Sequence, residues 1–129
     1  GVQGCAAVKV LHFAEDLVQA ETLRFLTWGP EQTPPSGSKR LPIKRVVLAL
    51  VALGNCLTAM MSFQHALETV EGQRLFCRAD ERGYDSVFFP DVRVYSILIP
   101  PEAQTTNNPH APPFYRAIPG YLLEYCDST

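Results

Sequence analysis

The chain alternates between short apolar runs and polar, proline-rich breaks, and that rhythm sets its predicted elements. From Ala6 to Phe13 apolar and polar positions alternate, which predicts a strand. Ala14 to Thr27 has helix-forming composition, with Glu15 and Asp16 placed to complement the positive end of the helix dipole, and Trp28-Gly29-Pro30 ends it. Its apolar face is expected to be Ala14, Leu17, Val18 and Phe25, with Leu23 and Leu26 pointing elsewhere. Pro30 to Pro42 holds four prolines and reads as a surface loop. Ile43 to Leu53 is a β-branched, nearly continuous apolar run of the kind found in a buried central strand, and Gly54-Asn55 turns the chain.

Met60, Phe63, Leu67 and Val70 then recur at spacings of three and four, with Gly72 as a C-terminal cap, so Leu57 to Glu71 is predicted as one helix. Met60 and Met61 on it read as core filler rather than a methionine-rich binding face. Leu75 to Cys77, Ser86 to Phe89 and Arg93 to Ile99 are strand candidates, with Arg78 to Asp85 a polar connection. Pro100 to Pro113 carries five prolines and is a long loop, and Tyr121 to Cys126 is the last strand. The prediction is an α+β fold.

Length bounds the organisation. At 129 residues the chain is expected to be a single domain, 1–129, with one core. A net charge of −2 without a basic stripe gives no electrostatic footprint for nucleic acid. The cationic cluster Lys39, Arg40, Lys44 and Arg45 is expected to be a solvated approach to the apolar strand. Val46 to Leu53 is far shorter than the roughly twenty apolar residues a spanning helix needs, so no membrane span is expected. Gly1 to Ala7 lacks the pattern of a signal peptide, and an intracellular or organellar location is favoured over secretion.

Chemistry-bearing residues are dispersed. Cys5, Cys56, Cys77 and Cys126 contain no Cys-x-x-Cys pair, so no metal site is expected, and buried free thiols are favoured over two disulfides. His12, His65 and His110 fall on a strand, a helix and a loop, and no Gly-x-Ser-x-Gly elbow or Gly-rich phosphate loop occurs. The residues alone supply no catalytic constellation.

Four segments, in order, carry a resemblance: Leu11-His12-Phe13-Ala14-Glu15-Asp16; Arg45-Val46-Val47-Leu48-Ala49-Leu50-Val51-Ala52-Leu53-Gly54-Asn55; Gly83-Tyr84-Asp85-Ser86-Val87; and Phe114 to Tyr125, with its Arg-Ala-Ile-Pro-Gly-Tyr-Leu-Leu-Glu-Tyr ending. Together they resemble the catalytic domain of poly(ADP-ribose) polymerases. The resemblance implies an ADP-ribosyltransferase-like antiparallel split β-sheet with two flanking helices, shortened because no His-Gly strand occurs. Active members bind NAD between two sheets and use a His, a Tyr and a Glu. The tyrosine that stacks on nicotinamide would fall at His12. The glutamate, which must offer a fixed negative charge to a cationic transition state, would fall at Tyr95 or Ser96, or at Asn108 in an ungapped match.

These departures imply a catalytically inactive domain that needs no cofactor and serves as an interaction or scaffold subunit of a larger assembly, a protein partner covering its exposed sheet edge. The alternative is a divergent mono-ADP-ribosyltransferase that uses NAD, with Glu102 as a rearranged acid. A further alternative is a secreted, disulfide-stapled module unrelated to NAD.

Overall fold

The computed structural model describes residues 8–29, 43–100 and 117–126. Among these residues six strands and three helices form a mixed α and β fold in the order β1 (Lys9–Ala14), α1 (Leu17–Trp28), β2 (Lys44–Val51), β3 (Cys56–Thr58), α2 (Phe63–Glu68), α3 (Val70–Glu81), β4 (Ser86–Phe89), β5 (Val94–Ile99) and β6 (Ala117–Tyr125). Strands β1, β5, β4 and β3 make one sheet in that order, and β2 with β6 makes a separate two-stranded ribbon. The β3–β4 pair is parallel, so the expected wholly antiparallel arrangement and pair of helices give way to a mixed sheet and three helices.

The core lies between one face of the larger sheet and helices α2 and α3. Phe63, Ala66, Phe76 and Ala79 from the helices meet Val87, Phe89, Val94 and Leu98 from β4 and β5. The Phe89 ring makes edge-to-face contacts with Phe63 at 5.2 Å and Phe76 at 6.0 Å between centroids, one of the geometries that aromatic quadrupoles prefer.

The region read as one helix from Leu57 to Glu71, followed by a strand at Leu75 to Cys77, folds differently. Cys56 to Thr58 pair with Ser86 to Phe88, and the helical pattern is split at Thr69. Thr69 explains the break: its hydroxyl donates to the His65 carbonyl, closing α2, and accepts from the Gly72 N–H, opening α3. Gly72 is therefore not a cap but a contact point, where an added Cβ would lie 1.9 Å from the Ala66 carbonyl oxygen. Leu75 to Cys77 and the start of the supposed polar connection belong to α3, whose inner positions Gly72, Phe76 and Ala79 recur with helical spacing.

Helix α1 begins later than expected because Asp16 is its N-cap, accepting from the Gln19 N–H at 2.8 Å. Its packing face is also the reverse of the expected one. Leu23 and Leu26 pack on the core, while Leu17, Val18 and Phe25 are exposed.

Strand β2 departs most in environment. It was expected at the buried centre of a sheet, but β6 is its only partner among the described residues, and Leu50 is 75 % exposed. Strand β6 starts at Ala117, four residues before the expected Tyr121, and the ladder shifts register between Leu48 and Ala49, leaving Gly120 as the extra residue. Leu48–Tyr121 and Leu50–Ile118 are cross-strand pairs on one face of the ribbon, with Val46–Leu123 beside them.

Candidate functional site

Two of the segments singled out by sequence meet at the turn after β2. Gly54 has φ 57°, a left-handed conformation that glycine adopts without a Cβ penalty. The Asp85 carboxylate accepts from the Asn55 N–H at 2.9 Å, and the Asp85 N–H donates to the Asn55 carbonyl at 2.7 Å. Ser86 Oγ donates to the Leu53 carbonyl at 2.7 Å, which gives this fully buried hydroxyl a partner. Gly54-Asn55 and Asp85-Ser86 thus fasten β2 to the start of β4.

His12 and Ser96 are brought together. They are directly opposed on β1 and β5, so their side chains leave the same face of the sheet, and His12 Nδ1 and Ser96 Oγ share a hydrogen bond of 2.7 Å. The Phe63 and His12 rings lie 5.0 Å apart between centroids with their planes at 89°, an edge-to-face contact. Burial pushes the His12 pKa down to about 4, because the apolar surroundings disfavour imidazolium. Ser96 is fully buried beneath this contact, so the adjacency of histidine and serine does not expose a nucleophile to solvent.

Tyr95, the other residue considered for the glutamate position, opposes Phe13 and therefore leaves the opposite face. Its hydroxyl donates to Glu15 Oε1 at 2.8 Å, and its ring stacks on Phe88 at 4.6 Å. The hydrogen bond to the Glu15 carboxylate, followed by desolvation and the carboxylate's charge, raises the Tyr95 pKa. Arg93 pairs with the second Glu15 oxygen at 2.6 Å. Glu102 and Asn108 lie outside the described residues, as do Lys39, Arg40 and His110.

An open groove of about 690 Å³ separates β1 and α1 from the ribbon, lined by His12, Leu17, Leu23, Trp28, Val46 and Leu48 among others. Two carboxylates border it, and both are engaged: Glu15 by Tyr95 and Arg93, and Asp16 by the first turn of α1. A second cavity of about 720 Å³ lies at the ribbon's end, where Glu21 accepts from Tyr125 Oη at 2.8 Å and pairs with Lys44 at 3.5 Å. Arg45 pairs across the ribbon with Glu124 at 3.2 Å. The described members of the cationic cluster are thus each matched by a carboxylate.

Among the described residues no group of three or more His, Cys, Asp or Glu side chains is placed to hold a metal ion. Nor, among them, is any helix long and apolar enough to cross a membrane. Among the described residues the expected buried free thiols are not found: Cys56 and Cys126 are free but exposed, and Cys77 is disulfide-bonded.

Sequence reasoning missed Phe63 as the ring over His12 and Asp91 as the acceptor for the Phe63 N–H, at 3.2 and 3.3 Å. Ser62, a capping residue ahead of an apolar run, was the available signal for the start of α2. Nothing in the sequence marked Asp91, which acts across the turn between β4 and β5. Comparison with protein-family models, curated proteins and solved structures finds no match to the chain.

Proposed function

We propose that the chain is an ADP-ribosyltransferase-like domain without cleavage activity, acting as an interaction or scaffold subunit of a larger assembly. The observation that carries this reading is the His12–Ser96 pair. At the two positions matched to the family's stacking tyrosine and catalytic glutamate stand an imidazole held neutral by burial and an uncharged hydroxyl. Neither can supply the fixed negative charge that an oxocarbenium-like transition state demands. Of the groove carboxylates, Glu15 is ion-paired with Arg93 and held by Tyr95, and Asp16 caps α1.

Three further observations support the architecture: the order of the quoted segments, the fastening of Gly54-Asn55 to Asp85-Ser86, and the antiparallel pairing of the Val-Ala-Leu strand with the closing strand. The interaction role is supported by the ribbon. Leu50, Ile118 and Tyr121 are 75 %, 68 % and 72 % exposed on one face, and Val47 and Leu122 are exposed on the other, an apolar area too continuous to be scattered surface residues. The partner in this reading is a protein that lays an apolar layer on the ribbon and pairs with a strand edge left open among the described residues, removing a surface prone to aggregation. No cofactor is required.

Isothermal titration of the purified chain with NAD tests the proposal. The expected result is no saturable heat up to millimolar NAD. Saturable binding lost on substituting His12 would overturn it.

The disulfide at Cys77 favours a second reading, a stapled module of an oxidising compartment with no link to NAD. The exposed free thiols Cys56 and Cys126 run against a complete disulfide framework. Both readings predict silence toward NAD, and only the first predicts that a protein ligand shields the β2–β6 ribbon from hydrogen exchange.

A further inference from the structure

Helix α3 carries a feature that the scaffold reading does not use. Arg74, Arg78 and Arg82 recur every fourth residue, which places successive guanidinium stems along one side of the helix with a rise of ~6 Å per step. All three are exposed. Among the described residues none of them makes a side-chain hydrogen bond or ion pair.

The stripe borders a cavity of about 320 Å³ whose floor is apolar, formed by Leu57, Met61, Leu75 and Ala79. Among the described residues Glu71 is the one carboxylate on its lining, and it is paired with His65 at 3.0 Å. Met60, beside the cavity in sequence, is 99 % exposed, while Met61 packs against the core. Complementing the helix dipole would explain Arg78 in the last turn and Arg82 at the C-cap, but not Arg74 in the middle of the helix. On a chain of net charge −2, three unpaired guanidinium groups along one apolar hollow are a local reversal of sign.

We infer that this face of α3 docks an acidic, amphipathic protein segment. Its apolar side chains enter the Leu57–Met61–Leu75 floor, and its carboxylates pair with the arginines along the rim, the helix-in-groove mode with charges setting register. Guanidinium is suited to the pairing because its planar fork meets a carboxylate with two hydrogen bonds. A nucleic acid is disfavoured by the lining itself: among the described residues no aromatic ring there offers a base a stacking platform, and the Glu71 carboxylate stands at the arginine row where a phosphate chain would run.

Fluorescence anisotropy tests the inference with two labelled helical peptides that carry leucines at positions i, i+3 and i+7, one flanked by glutamates and the other by lysines. The glutamate peptide is expected to bind the full chain, to weaken with added salt, and to lose on the order of tenfold in affinity with the Arg74→Glu, Arg78→Glu double variant, from two rim pairs. The lysine peptide should not bind the wild-type chain and should gain affinity for the double variant. Both substitutions are on exposed side chains, and circular dichroism checks that the variant is folded. Absence of glutamate-peptide binding, equal binding of the two peptides, indifference to the double substitution, or displacement of the peptide by a single-stranded oligonucleotide would each overturn the inference. Because the ribbon is untouched, the outcome is independent of the scaffold reading.

Discussion

Acidification should destabilise this protein through His12. In the unfolded chain the imidazole takes up a proton near its ordinary pKa of 6.5, whereas in the fold burial delays protonation to about 4. Between these values the unfolded state binds more protons, so stability must fall as pH falls from above 6.5 toward 4, and below that the His12 contribution is constant. The whole shift corresponds to about 3 kcal/mol, an upper figure because part of the ring reaches the groove. Most of the loss falls between pH 7 and pH 5, where linkage gives roughly 2 kcal/mol.

His12→Asn isolates this contribution. Asparagine can keep a hydrogen-bonding atom near the position of Nδ1, so Ser96 retains a partner, but it does not titrate. Urea unfolding followed by circular dichroism at pH 7 and pH 5 gives each protein's loss of stability, and the wild-type loss should exceed that of the variant by roughly 2 kcal/mol. His65, His110 and the carboxylates are common to both proteins and cancel. Equal losses would refute the claim that His12 is held neutral in the fold, and a larger loss in the variant would reverse its sign.

Three other outcomes follow from the packing. Gly72→Ala should destabilise by roughly 3 kcal/mol in urea unfolding, although helix propensity alone favours alanine by about 1 kcal/mol, because the new methyl would collide with the Ala66 carbonyl at the α2–α3 contact. Leu98→Ala should cost roughly 2 to 5 kcal/mol by opening a core cavity, whereas Leu50→Asp on the open ribbon should stay within about 0.5 kcal/mol of wild type in the isolated chain. Alkylation followed by peptide mass spectrometry should label Cys56 and Cys126 without reductant, and Cys77 only after reduction.

The legible parts of the fold were those whose information is local. Ser86 to Phe89 was read with its observed bounds because its apolar run is closed by polar and turn residues on both sides. Strand β2 was placed to within two residues by its β-branched run, but its burial was not, since an apolar run reads the same whether or not a second layer covers it. The boundary between α2 and α3 was missed because Met60, Phe63, Leu67 and Val70 keep helical spacing through Thr69, and the capping hydroxyl breaks the axis without breaking the pattern. The same blindness to partners misassigned the inner face of α1, where Leu23 and Leu26 rather than Leu17 and Phe25 meet the core. At the candidate site the sequence supplied His12 and Ser96 as separate positions. Only the β1–β5 register could set them opposite one another, choose Ser96 over Tyr95 as the neighbour of His12, and bring Phe63 against the imidazole.

The most direct test of the central claim is turnover. Nicotinamide release from millimolar NAD by the purified chain, followed by liquid chromatography over hours, should not exceed the buffer background, and His12→Ala and Ser96→Ala should leave that background unchanged. Release above background that disappears in either variant would show that the pair supports cleavage after all and would contradict the account.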